Sequence, residues 1–235
     1  MVTILKRELE SFFFSAIGYM VMTFLFMFTA LFFFFTSIAE NTANLVGTFN
    51  AIFSLAAFFS PIITMRLFSE ETNKKTDQIL LTSPIKLSSI VLGKYFASIL
   101  LYLACISMTL VYALVISKFT TPEWPIIFTS FLGIFLVGSA FISMGMFFSS
   151  LTENQVVAVV VTLVVNIAIL IMDAMSSAIP VKFLIDFLKN LSFSGHYFQS
   201  FPLGMLKLKD MVFFLSVDLI FIFLTTRALE RKRWS

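Results

Sequence analysis

The side chains able to do chemistry in this chain are few, and their spacing rules out most reactions. One histidine, His196, and one cysteine, Cys105, stand far apart, so no Cys/His set with zinc-ligand spacing exists. A single cysteine also excludes an intrachain disulfide. Gly93-Lys94 runs into Tyr95 and has no glycine five residues before it, so the phosphate-cradling G-x-x-x-x-G-K-[ST] loop is missing. Ser143-Met144-Gly145 supplies half of the glycine turn around an intramembrane serine nucleophile. Phe141 stands where the first glycine belongs, and the only histidine lies in another stretch. What remains is polarity in unusual places. Asp218 lies inside the apolar run Met211–Thr226, where a carboxylate is costly unless paired, protonated or reached by water. Asn166 sits in a second apolar run as a possible neighbour. With His196, these residues are the candidates for a translocation path or gate. No metal or cofactor is expected on this chain.

The elements that must hold these groups follow from composition. Of 235 residues, 59% are hydrophobic, 12% are charged and 32 are Phe. Soluble proteins average about 25% charged residues, so the chain reads as an integral membrane protein. Six apolar runs approach the length of a spanning helix: Ile17–Ser37, Leu45–Met65, Tyr95–Ser117, Ile126–Ser149, Val156–Met172 and Met211–Thr226. Strand alternation is absent, which excludes a β-barrel. The first run is too long for a signal-peptide core and lacks a clear cleavage site, so it is read as a retained span. The expected fold is all-α, a single transmembrane domain over residues 1–235.

Six spans put both termini on one side. With the N-terminus inside, eleven Lys/Arg fall inside and five outside, so both termini are expected in the cytoplasm. Two further helices should lie along the membrane. LKRELESFFFS, with Arg7 and Glu8, reads as an N-terminal interfacial helix. Phe183, Leu184, Phe187, Leu188 and Leu191 recur with a helical period within an outside re-entrant hairpin, residues 178–209, that also holds His196.

The polar segment RLFSEETNKKTDQILLTSPIKLSS, between spans two and three, is far longer than the about 2–8 residues that join packed helices. Ser69 as N-cap, Glu70 and Glu71 in the first turn, and Lys74 and Lys75 four residues on predict a cytoplasmic helix over residues 69–83. Ser83-Pro84 should end it. Its charges and its apolar Ile79-Leu80-Leu81 end suit a docking surface.

These features resemble the permease subunits of type-2 ABC exporters over nearly the whole chain, and within them the compact permeases associated with bacterial gliding motility. The motifs are Lys6-Arg7-Glu8-Leu9 with Ser11-Phe12-Phe13, then Glu70, Glu71, Thr76, Leu80, Leu81, Thr82 and Pro84, then Ser149 to Gln155, and a closing Glu230 to Trp234. Lys75 stands where the family pattern has glycine, and Gln78 where it has glutamate. The resemblance implies a non-catalytic permease in the bacterial inner membrane, with a second copy or a homologue as partner. It also implies cytoplasmic ATPase subunits that carry the ATP and magnesium. An accessory extracytoplasmic protein is a further implied partner, and nucleic acid is not one. The ATPase would dock on Phe68, Glu70, Glu71, Thr76, Asp77, Leu80, Leu81 and Pro84, with Thr152 and Asn154 as a smaller second contact. The competing expectation is an ATP-independent, ion-coupled transporter or channel that uses Asp218.

Overall fold

The computed structural model of the chain describes residues 2–40, 42, 44–76, 86–176 and 190–234. Every regular element among them is helical, and six helices are long and apolar enough to cross a membrane. Lipid offers no hydrogen bonds, so a spanning segment must satisfy its own backbone, as a helix does. In chain order the helices are α1 (Val2–Phe13), α2 (Ala16–Phe33), α3 (Val46–Thr64), α4 (Ser69–Asn73), α5 (Leu87–Ile106), α6 (Met108–Ile116), α7 (Trp124–Leu151), α8 (Gln155–Ser176), α9 (Phe193–Phe198) and α10 (Leu208–Trp234). A π-helical turn, Phe34–Ile38, extends α2. The crossing helices are α2, α3, α5 with its continuation α6, α7, α8 and α10.

α7 is the hub. Its 28 residues rise about 42 Å, and it packs on α3, α5, α8 and α10. Every residue from Leu136 to Met146 is buried, as expected of a helix that is apolar all round. Small residues let its neighbours approach: a methyl group at Gly138 would collide with the Tyr102 ring of α5. The Tyr102 hydroxyl donates to the Ile134 carbonyl of α7 at 3.2 Å. Only 17% of the apolar stretch of α8 and 22% of that of α10 is buried, against 72% of α7. The outer faces of α8 and α10 therefore remain for lipid or another chain.

α3 carries Pro61 in its interior. Proline has no N–H, so the Ala57 carbonyl four residues earlier loses its helical partner. Asn166 of α8 fills the gap: its Nδ2 donates to the Ala57 carbonyl at 2.9 Å and to Ser60 Oγ at 3.0 Å. An isolated carbonyl in the bilayer interior is thereby satisfied by a neighbouring helix.

Two departures from sequence expectation have clear causes. The helix of the third span begins at Leu87, ahead of the expected Tyr95, because the charge of Lys94 is neutralised inside the protein. Of the helix expected over residues 69–83, the described part is helical only over Ser69–Asn73. Lys75 adopts φ 56°, which turns the chain out of the helix. Residues 77–85, including Asp77, Leu80, Leu81 and Pro84, lie outside the described residues. So do residues 177–189, which hold most of the expected amphipathic helix of the hairpin.

Candidate functional site

Charged side chains of α1, α4 and α5 meet at one junction. Lys94, about two turns into α5, is 1% exposed. Its ammonium has three donors and uses all of them: Glu8 of α1 at 3.1 Å, Glu71 of α4 at 2.9 Å, and the Leu67 carbonyl at 2.6 Å. The Phe68 ring lies 5.1 Å from the same ammonium, within cation–π range. Arg7 closes the group from the solvent side, reaching Glu8 at 2.8 Å and Glu71 at 2.9 Å. Two cations and two carboxylates thus cancel in a partly dry place, where an unpaired charge would be very costly.

A second set of bonds ties the start of α4 to α1 and α2. Arg66 donates to Glu70 at 3.0 Å, to Ser15 Oγ at 2.9 Å and to Ser11 Oγ at 3.4 Å. Ser15 also caps α2 by accepting the Gly18 N–H at 3.2 Å. Glu70 pairs with Lys74 at 2.7 Å, the i,i+4 contact expected from sequence. Burial opposes the ionisation of Glu70, which lies beyond the end of α3. The hydrogen bonds and charges of Lys74 and Arg66 outweigh burial and hold its carboxyl below the ordinary value of 4.5.

α4 is also fixed to the end of α7. The Phe68 and Ser69 N–H groups both donate to Ser149 Oγ at 3.2 Å, and Ser149 donates to the Met65 carbonyl at 3.0 Å. Ser69 is therefore not the N-cap. Its hydroxyl turns back to the Met65 carbonyl, and Phe68 occupies the cap position without a side-chain bond. Just beyond Ser149, Thr152 Oγ1 accepts the Asn154 N–H at 3.2 Å, and Asn154 Oδ1 accepts the Val156 N–H at 2.9 Å to start α8.

The sequence-derived docking residues thus divide by environment. Phe68 is buried, Glu70, Glu71 and Thr152 are half-buried, and Thr76 is exposed. Asn154 is exposed on the neighbouring loop. Sequence reasoning did not single out Lys94 or Arg66 as site residues, and reached Ser149 only as the first residue of the Ser149 to Gln155 motif. A lone lysine among apolar residues was the available signal for the first, but its partners Leu67 and Glu8 lie 27 and 86 positions away in the chain, and Glu71 lies in a separate helix.

The three residues assigned to a path or gate fall in separate places. Asn166 serves α3, as described, rather than Asp218. Asp218 is buried, and its Oδ2 accepts from Ser139 Oγ of α7 at 2.8 Å. His196 lies at the opposite end of the bundle, in α9. Its Nδ1 is 2.6 Å from Asp210 and its Nε2 3.1 Å from the Asn190 carbonyl, and the ring stacks on Phe213 at 4.2 Å. The next turn, Phe201–Leu203, is welded to α7 by Thr129, which donates to the Phe201 carbonyl at 2.8 Å. Among the described residues no cluster suited to a metal ion is found.

A bundle of six crossing helices, with one end tied by buried ion pairs to a helix preceding the first span, defines a multi-pass membrane protein. Residues 36–215 match the family described as ABC-2 family transporter protein, and the chain belongs to that family. It is accordingly a membrane component of an ABC-2 type transporter, which agrees with the absence of a P-loop from its sequence. No curated protein matches the chain at a significant level.

Proposed function

We propose that the chain is the permease subunit of an ABC exporter that forms the translocation path as a dimer, with a second copy or a homologue. Separate ATPase subunits drive it from the end that carries α4. Those subunits hold the ATP and magnesium. In this reading the α4 end and both termini are cytoplasmic, in a bacterial inner membrane. The motifs stand closest to the gliding-motility permeases, and an accessory extracytoplasmic protein completes the assembly.

The observation that carries the reading is the buried Lys94 junction. Glu8, Glu71 and the Leu67 carbonyl meet on one ammonium, while Ser149 holds the adjacent Phe68 and Ser69 N–H groups. A force applied to α4 therefore reaches α1, α5 and α7 together, rather than being lost in a loose loop. In this reading the docking surface is Lys74 and Thr76 beside the half-buried Glu70, continued in sequence by Asp77, Leu80, Leu81 and Pro84. Thr152 and Asn154 flank it, Glu71 and Phe68 support it from beneath, and Arg7 and Glu8 brace it through α1.

Affinity purification of the tagged chain from its native membrane, followed by mass spectrometry, tests this. An ATPase bearing a P-loop should co-purify. Asp77→Lys combined with Leu80→Asp should release it without lowering the melting temperature of the permease. An ATPase that never co-purifies, or one retained by the double variant, overturns the reading.

A further inference from the structure

Pro61 breaks α3 one turn before its end at Thr64, and the two sides of the break have different partners. Past the break, the Met65 carbonyl accepts from Ser149 of α7 and from the Ser69 hydroxyl of α4. Ahead of it, the Ala57 carbonyl and Ser60 Oγ accept from the Asn166 amide of α8. A helix bends most readily where proline has removed a backbone bond, so the last turn of α3 can tilt against the rest. The wall behind it is smooth. A methyl group at Gly145 of α7 would collide with Thr64 Oγ1 of α3 and press on Thr162 Cγ2 of α8. Gly145 itself offers no side chain to interlock them.

Asn166 is placed to register that tilt. A proline ring presses on the carbonyl four residues back, which here is the Ala57 carbonyl that the amide holds. The angle at Pro61 therefore sets where this acceptor points. A carbonyl only accepts, so the NH2 side of the amide must face α3. The other side is idle: Oδ1 is buried and has no hydrogen-bond partner among the described residues. With α3 supplying its hydrogen bonds, the amide follows α3 and carries α8 with it. Asn166 stands about 16 Å from the start of α8 at Gln155, so the pull reaches the middle of α8 rather than its end.

We propose that Pro61 is a hinge in α3 and that Asn166 couples it to α8, so that α8 shifts when the last turn of α3 tilts. That turn leads through residues 65–68 into α4, and movement of α4 is what tilts it. Only the source of this movement rests on the reading that an ATPase acts on α4; the hinge and its link do not. Two helices thereby form one element with two arrangements, which is what transmission between distant sites requires.

Full-length protein in lipid nanodiscs carries nitroxides at Val164→Cys on α8 and Leu100→Cys on α5, both exposed positions; Cys105 is buried and stays unlabelled. Double electron–electron resonance should give two populations of the α5–α8 distance, and Pro61→Ala and Asn166→Leu should each lose one of them. Hydrogen exchange of residues 62–68 separates hinge from link. It should slow in Pro61→Ala, whose backbone bond is restored, and stay as fast as wild type in Asn166→Leu. Pro61→Ala keeps the test decisive if Asn166→Leu does not fold. A single distance in the wild type, a second population that survives Pro61→Ala, or unslowed exchange in Pro61→Ala would each overturn the proposal. Adding the co-purified ATPase with a non-hydrolysable ATP analogue should shift the wild type towards one population. If no ATPase binds while the two populations and their loss in the variants hold, the hinge stands and the ATPase reading falls.

Discussion

Lys94 is 1% exposed, and Glu8, Glu71 and the Leu67 carbonyl converge on its ammonium. Removing the buried member of this group leaves Glu8 and Glu71 with the half-exposed Arg7 as their remaining cation and strips the Leu67 carbonyl of its donor, at a cost of up to about 3–5 kcal/mol. Lys94→Ala should therefore lower stability by that amount, read as the shift in denaturant or thermal midpoint in detergent. Arg7 touches the same carboxylates, but its side chain is 52% exposed. Arg7→Ala should cost no more than about 1 kcal/mol, and similar losses for the two variants would discredit the buried-junction account. Lys75 invites a second test. Its φ of 56° lies in the left-handed region, which costs a residue other than glycine about 1–3 kcal/mol. The order of melting temperatures should be Lys75→Gly above wild type and wild type above Lys75→Val. A glycine at this position adopts the same angle without that cost.

At the scale of elements, the Pro61 gap in α3 and the Asn166 amide of α8 form one unit. Asn166→Ala should cost about 1–3 kcal/mol by leaving the Ala57 carbonyl unpaired inside the membrane. In a Pro61→Ala background the helix regains the N–H that bonds Ala57, so the same Asn166→Ala change should become nearly neutral. A double-mutant cycle measures this coupling, and additive losses would show that the amide does not serve that gap. The sequence announces Asn166 as an oddity but not its purpose, because a polar residue in an apolar run can serve a pore or a broken helix equally well. Only the position of α8 against α3 distinguishes them. Span existence was legible, since six apolar runs of adequate length stand out against charged boundaries. Helix limits were less so. Lys94 ends the apolar window without ending the helix, and Lys75 ends a helix that charge spacing alone would have continued.

For the whole molecule, α7 is the element on which the others depend. Gly138→Val should force Tyr102 of α5 aside and cost about 1–3 kcal/mol. Tyr102→Ala should recover part of that loss by vacating the space, with both effects read in thermal melts. If Gly138→Val melts as wild type does, α5 and α7 do not pack as described. By itself the amino-acid sequence determined that this protein is helical and crosses a membrane six times, because hydrophobic length and charge placement are properties of single segments. It also pointed to the ABC-2 family through short local motifs. The tertiary structure decided which polar residues meet: Glu8 with Lys94 and Glu71, Ser149 with the start of α4, Asn166 with Ala57, Asp218 with Ser139. A buried charge or a lone amide specifies only that some partner is needed. The partner is supplied by elements distant in sequence, and their packing is settled by shape, at glycines and rings that carry no pairwise label along the chain.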